Sequence, residues 1–192
     1  MERQDDVAAV ILAAGESRRF GAPKQLALLE GRTLLEHVLD LAQTAGLRPV
    51  VAVVPVWLTR PAAMDAPDLI WVRNPNPELG MSNSLRLGLA AVPPTAGAAL
   101  VLLGDEPRVP VAHLRALVAA RGSRPIVASD RDGLLAPPVL LERSAFAAVA
   151  SLAGDTGLRE LIRSEPGLVA SVAIGPVVDI DTPNDLRRLD GE

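Results

Sequence analysis

The chain has 192 residues, a net charge near −4 and a pI near 5.3, which suits one α/β domain with a real core, read as a single domain over residues 1–192. Cysteine is absent and there are two histidines, so disulfides, thiolate nucleophiles, zinc–thiolate centres and His-rich metal sites are excluded. The acidity gives no bulk attraction for nucleic acid or anionic membrane, and basic residues matter only where they cluster.

Met1 to Asp6 is polar and lacks the apolar centre of a signal peptide, and no apolar run reaches membrane-spanning length. The expectation is a soluble, cytoplasmic protein. Val7 to Leu12 is an apolar run with β-branched members, which predicts a strand buried on both faces. Ala13, Ala14, Gly15, Glu16 and Ser17 then form a loop whose backbone can approach a ligand and aim N–H groups at negative oxygens. Arg18, Arg19 and Lys24 add three cations just past the strand end, where open α/β sheets place their ligands. Gly15 and Gly21 fit neither G-x-G-x-x-G nor the P-loop pattern.

Thr33 with Glu36 has capping-box spacing, and Leu34, Val38, Leu41 and Ala45 line one face of a helix that Gly46 closes. Val50 to Val54 is a second buried strand, and Pro55 to Asp68 carries three prolines and reads as loop or poor helix. Leu69 to Val72 is a short strand. Asn74 to Pro77 makes a turn, and Ser82 or Asn83 is the expected cap of a helix running to Val92, with Leu85, Leu89 and Val92 inward.

Ala98 to Leu103 is another buried strand, ending in Gly104–Asp105–Glu106–Pro107. Then come a helix over Val111 to Ala120, a strand over Pro125 to Ser129, helices around Ser144 to Leu152 and Asp155 to Arg163, and one or two strands within Leu168 to Ile180. Thr182 as N-cap, Pro183 at N1 and Asp185 at N3 start a last helix. This alternation predicts a three-layer α/β/α fold with a mainly parallel, mixed sheet. Asp105 and Asp181 each follow an apolar stretch at that sheet edge. Mg²⁺ takes one or two protein carboxylates plus phosphate oxygens, so this pair would suffice to hold it.

Leu12, Gly15, Ser17, Arg19, Gly21 and Lys24 match the signature L-x-x-G-x-S-x-R-M-G-x-x-K, with Phe20 in the place of Met. On these residues the chain resembles the MobA-like NTP transferases, and among them the molybdenum-cofactor cytidylyltransferases. The resemblance continues through NPNPELGMSNSLRLGL, LLGDEP, PPVLL, GDTGLREL and DIDTPNDL. It implies a Rossmann-like nucleotidyltransferase (GT-A-like) fold. It also implies nucleotide contacts from Leu12, Ala13, Ala14, Gly15, Ser17, Asn74, Gly80, Ser82 and Ser84, catalytic cations at Arg19 and Lys24, and Mg²⁺ on Asp105 and Asp181. The implied reaction is transfer of a nucleotidyl group from a triphosphate to a phosphorylated small-molecule acceptor with release of pyrophosphate. Molybdopterin is the implied acceptor, with a transient contact to a molybdoenzyme or its chaperone. Ala13–Ala14–Gly15 resembles the A-A-G of the cytidylyltransferases more than the L-A-G-G of the guanylyltransferases, which favours CTP.

Two departures bear on the acceptor. Glu106 stands where this family often has Gln, and Ala136–Pro137–Pro138 where it commonly has Gly-His-Pro. Alternatives therefore stay open: a guanylyl- or other sugar- or cofactor-phosphate nucleotidyltransferase, or a non-catalytic nucleotide-binding member. The Pro-Lys-Gln at 23–25 is also similar to methylerythritol-phosphate cytidylyltransferases, which carry H-D-A-x-R-P where this chain has Gly104–Asp105–Glu106–Pro107. A Rossmann oxidoreductase would need glycines at Ser17 and Phe20.

Overall fold

The computed structural model describes residues 6–190 apart from 16, 18, 19, 62, 63, 65, 150, 151, 153, 155, 156, 176, 178, 179 and 181. Its centre is β1 (Asp6–Leu12), flanked in parallel by β4 (Val50–Pro55) and β6 (Ala96–Leu103). Outside β4 lies β5 (Leu69–Asn74), and beyond β6 come β8 (Leu134–Glu142), β7 (Ile126–Arg131) and β9 (Val169–Ala173). The order is β5-β4-β1-β6-β8-β7-β9, with β8 alone antiparallel to its neighbours. The mainly parallel, mixed sheet expected from the alternation is present. A two-strand hairpin of β2 (Leu28–Leu29) and β3 (Arg32–Thr33) lies outside it.

Alternate residues of the central strands serve two cores. Val7, Ala9 and Ile11 pack under α1 (Leu34–Thr44) and α3 (Val111–Ala119). Ala8 and Val10 pack under α2 (Met81–Ala90), with α4 (Phe146–Val149) and α5 (Leu158–Ser164) beside it. That two-sided burial is why β1 reads as an unbroken apolar run. Helix α2 sits close on the sheet because Gly88 faces it: a Cβ there would come 2.5 Å from Val10 Cγ1. A third, small cluster of Leu29, Leu34 and Ile180 receives Leu186 of α6 (Pro183–Asp190).

Local signals account for several helix ends. Thr33 and Glu36 form the reciprocal box at α1: the Thr33 amide donates to Glu36 Oε2 at 2.7 Å and the Glu36 amide to Thr33 Oγ1 at 3.2 Å. The carboxyl of Glu36 is held below its ordinary value of 4.5, first by the Thr33 hydroxyl and then by the Thr33 amide. Thr182 and Asp185 repeat the arrangement at α6.

Elsewhere the structure departs from expectation. The cap of α2 is Gly80, at φ 84° and without a side-chain bond, not Ser82 or Asn83, which both lie inside the helix. The left-handed turn there demands glycine, and the Asn83 side-chain amide is used instead on Asn74 Oδ1 and the Asn76 carbonyl. Helix α4 is one turn after a 3₁₀ turn at Arg143–Ala145, and α5 begins at Leu158, since Gly157 starts it. Strand β8, unforeseen, contains Pro137 and Pro138. Pairing with β7 passes from Ala128↔Val139 directly to Ser129↔Ala136, so both prolines bulge out of the ladder, where a missing N–H costs nothing. Among the described residues, no helix is long and apolar enough to cross a membrane.

Candidate active site

Strand β1 is followed by chain that continues toward β4, while β6 lies on its other side, so the carboxyl ends of β1 and β6 flank the point where the sheet order turns. Such crevices hold ligands in open α/β sheets. The two strand ends approach very closely here: the Gly104 amide donates to the Leu12 carbonyl at 3.0 Å, and a Cβ on Gly104 would meet Ala13 Cβ at 2.8 Å. Glycine at 104 is thus a packing requirement.

Across this crevice Lys24 Nζ lies 2.8 Å from Asp105 Oδ2, joining the loop after β1 to the loop after β6. The Lys24 side chain is mostly buried and that of Asp105 about a third exposed. Ser17 organises the loop between. It adopts φ 54°, its carbonyl accepts from the Phe20 amide at 2.9 Å, and its hydroxyl accepts from the Lys24 amide at 3.2 Å. A non-glycine residue held in the left-handed region marks a loop whose shape is imposed by its contacts. Arg19, like Arg18 and Glu16, lies outside the described residues.

Gln25, to which the sequence assigns no site role beyond its place in Pro-Lys-Gln, supports the head of the loop. Its Nε2 donates to the carbonyls of Ala13 at 2.7 Å and Gly15 at 2.8 Å, and the side chain is buried. The Pro-Lys-Gln resemblance marks the position but not this role, because both bonds are to backbone 10 and 12 residues away.

The loop forms one wall of a cleft of about 330 Å³ lined by Ala14, Gly15, Ser17, Gly21–Pro23 and Gln25 on one side, and by Pro55, Trp57 and Pro77 on the other. Of the nucleotide residues expected from the sequence, Ala14, Gly15 and Ser17 line it. Leu12 is the end of β1, and Ala13 is buried against the β6 loop. Asn74 ends β5 fully buried: its Nδ2 donates to Ser84 Oγ at 2.9 Å, and its Oδ1 accepts from the Asn76 amide at 2.9 Å and Asn83 Nδ2 at 2.8 Å. Asn74 and Ser84 therefore shape the 74–80 turn. Gly80 caps α2, and Ser82 is wholly buried with its amide donating to the Gly154 carbonyl.

Asp181 lies outside the described residues, but the Ile180 amide, one residue earlier, donates to the Asp105 carbonyl at 3.2 Å. Among the described residues there is no group of three or more potential ligands. A part-exposed carboxylate at the crevice suits a cation that keeps most of its waters and takes phosphate oxygens, and does not suit an all-protein cage.

The two departures from the family pattern meet on one side chain. Arg131 Nη2, from the end of β7, lies 2.7 Å from Glu106 Oε1 and donates to the Pro137 carbonyl at 2.6 Å, with Glu106 only 3% exposed. Beside them Ser129 Oγ donates to the Pro138 carbonyl at 2.7 Å and lies 2.8 Å from His113 Nε2. Burial, and then the Arg131 charge, push His113 below its ordinary value of 6.5.

A parallel-centred α/β sheet with a glycine-containing loop, a lysine and an aspartate at its switch point has the place where open α/β sheets bind ligands. The chain belongs to the MobA-like NTP transferase domain family, whose model matches residues 9–169. It is a nucleotidyltransferase by that membership. It is 30% identical over 191 residues to the purine catabolism protein PucB of Bacillus subtilis (strain 168), covering 92% of each chain. It is 31% identical over 186 residues to the bifunctional protein GlmU of Xanthomonas campestris pv. campestris (strain B100), spanning 94% of this chain but about a third (35%) of that relative's length. Among solved structures it resembles Rv0371c from Mycobacterium tuberculosis H37Rv, with TM-score 0.82, 31% identity and 97% and 99% of the two chains covered. It also resembles the manganese complex of that protein, with TM-score 0.78, 29% identity and 97% and 98% covered.

Proposed function

We propose that the chain, as one catalytic domain over residues 1–192, transfers a cytidylyl group from CTP to a phosphorylated acceptor, molybdopterin by family resemblance, and releases pyrophosphate. The observation that carries this reading is the contact of Lys24 with Asp105 across the switch point, 2.8 Å in length. A cation that can meet phosphate oxygens and a carboxylate that can meet a metal are thereby brought within one triphosphate's reach.

A phosphate oxygen of the acceptor attacks the α-phosphorus, the bond to the β-phosphate oxygen breaks, and pyrophosphate leaves. The acceptor is already anionic, so no protein nucleophile or base is required, which agrees with the absence of cysteine. Catalysis then rests on alignment and on neutralising charge. The loop from Ala13 to Ser17, propped by Gln25, holds the nucleotide. Lys24 and Arg19 draw charge from the phosphates as the leaving group departs. Asp105 and Asp181 would hold Mg²⁺, which supplies further neutralisation at the α-phosphoryl and pyrophosphate. That Rv0371c is described in complex with manganese supports a divalent cation in this family. Ala14, only 3% exposed on the cleft wall, narrows the space beside a base and supports the smaller pyrimidine.

The test is a pyrophosphate-release assay of the four triphosphates against a panel of phosphorylated cofactor precursors, with and without Mg²⁺. CTP with a pterin-phosphate acceptor should give the largest kcat/KM. Release with none of the pairs, alongside measurable triphosphate binding, would replace the enzyme with a binding protein.

A further inference from the structure

The chain holds two tryptophans, two phenylalanines and no tyrosine. Phe20, Trp71 and Phe146 pack against the hydrophobic clusters, and Trp71 also donates its Nε1–H to the Leu58 carbonyl at 3.2 Å. Trp57 is placed differently. It is 53% exposed and lines the cleft together with Ala14 and Gly15. Its position is held by a turn in which the Leu58 amide donates to the Pro55 carbonyl at 3.1 Å, while the Leu58 side chain is buried as an anchor. An exposed indole pinned beside a ligand loop calls for a physical reason, since it leaves a large apolar face in water.

The site divides about β1. On the β6 side lie the charged groups, Lys24 and Asp105. On the β4 side the wall is apolar, with Pro55 ending β4 and Pro77 following β5, whose last residue Asn74 is in register with Pro55. A triphosphate bound with its phosphates at Lys24 leaves its uncharged, flat end to be received on the apolar side.

We propose that Trp57 stacks on the nucleobase, forming the aromatic wall of the base pocket. This rests on the nucleotidyltransferase reading and adds to it a residue outside the signature motifs. Every base presents a π-face, so stacking supplies affinity without base choice, which stays with the loop at Ala14.

Equilibrium binding of CTP, GTP, ATP and UTP in the presence of Mg²⁺ should weaken roughly five- to a hundredfold in Trp57→Ala, by a similar factor for each triphosphate. Trp57→Phe should retain most of the affinity. In turnover the loss should fall on KM for the nucleotide, with KM for the acceptor unchanged. Tryptophan emission of the parent should change on adding CTP, and this change should vanish in Trp57→Phe, which keeps Trp71 as an internal reference. Unaltered triphosphate affinity in Trp57→Ala, or a loss confined to KM for the acceptor, overturns the stacking role and leaves the nucleotidyltransferase reading intact. A parent that binds no triphosphate overturns both.

Discussion

Glu106 and Arg131 form an ion pair of 2.7 Å between the loop after β6 and the end of β7, and the same guanidinium nitrogen binds the Pro137 carbonyl. The two departures from the family motifs are therefore one rearrangement. A carboxylate at 106 needs a cation, and a carbonyl freed from the ladder by the Pro137–Pro138 bulge needs a donor; Arg131 supplies both.

Removal of that arginine should be costly. Arg131→Gln removes the guanidinium 2.7 Å from the buried Glu106 carboxylate, for a loss of up to about 3–5 kcal/mol. Glu106→Gln combined with Arg131→Gln should recover a good part of it. Urea unfolding of the parent, both single variants and the double variant checks this, and strictly additive losses would disprove the coupling.

Lys24 is a test of chemistry and not of folding. Its partner Asp105 is about a third exposed and can be solvated when the ammonium is removed. Lys24→Ala should keep its unfolding transition and lose about 3 kcal/mol or more of transition-state stabilisation, roughly a hundredfold in kcat/KM. Near-normal turnover would remove Lys24 from the mechanism.

Base choice is read from one methyl group. The parent should prefer CTP to GTP by ~1–3 kcal/mol, and Ala14→Gly should shrink that preference. The measurement is kcat/KM for both triphosphates with one acceptor. A parent that favours GTP, or a ratio untouched by the substitution, contradicts the assignment of base selection to Ala14.

His113 makes stability depend on pH. Its folded value lies below the ordinary 6.5, so the unfolded chain binds the proton more readily, and folding stability is fully present above 6.5 and is lost as pH falls through the folded value. The cause is burial first, with Arg131 adding repulsion. Melting temperature should be flat from pH 8 to about 6.5 and decline below it, and His113→Gln should remove part of that decline. An identical pH profile in the variant would clear His113 of the effect.

Much of this protein was legible locally. The apolar runs of β1 and β6, the Thr33–Glu36 and Thr182–Asp185 boxes and the signature loop each depend on residues close in the chain, where spacing alone determines which groups can meet. The tertiary structure decided what spacing does not carry. Lys24 reaches Asp105 across 81 residues because β1 and β6 are paired in parallel, and Gln25 becomes a prop only because the loop folds back over it. Strand β8 was hidden by two prolines that a bulge expels from pairing, and that bulge is visible only once β7 lies alongside. Trp57 reads in sequence as one apolar residue in a proline-rich loop. Only the turn at Pro55–Leu58, set against the loop after β1, turns it toward a cleft, because where an exposed side chain points is settled by the surfaces assembled around it.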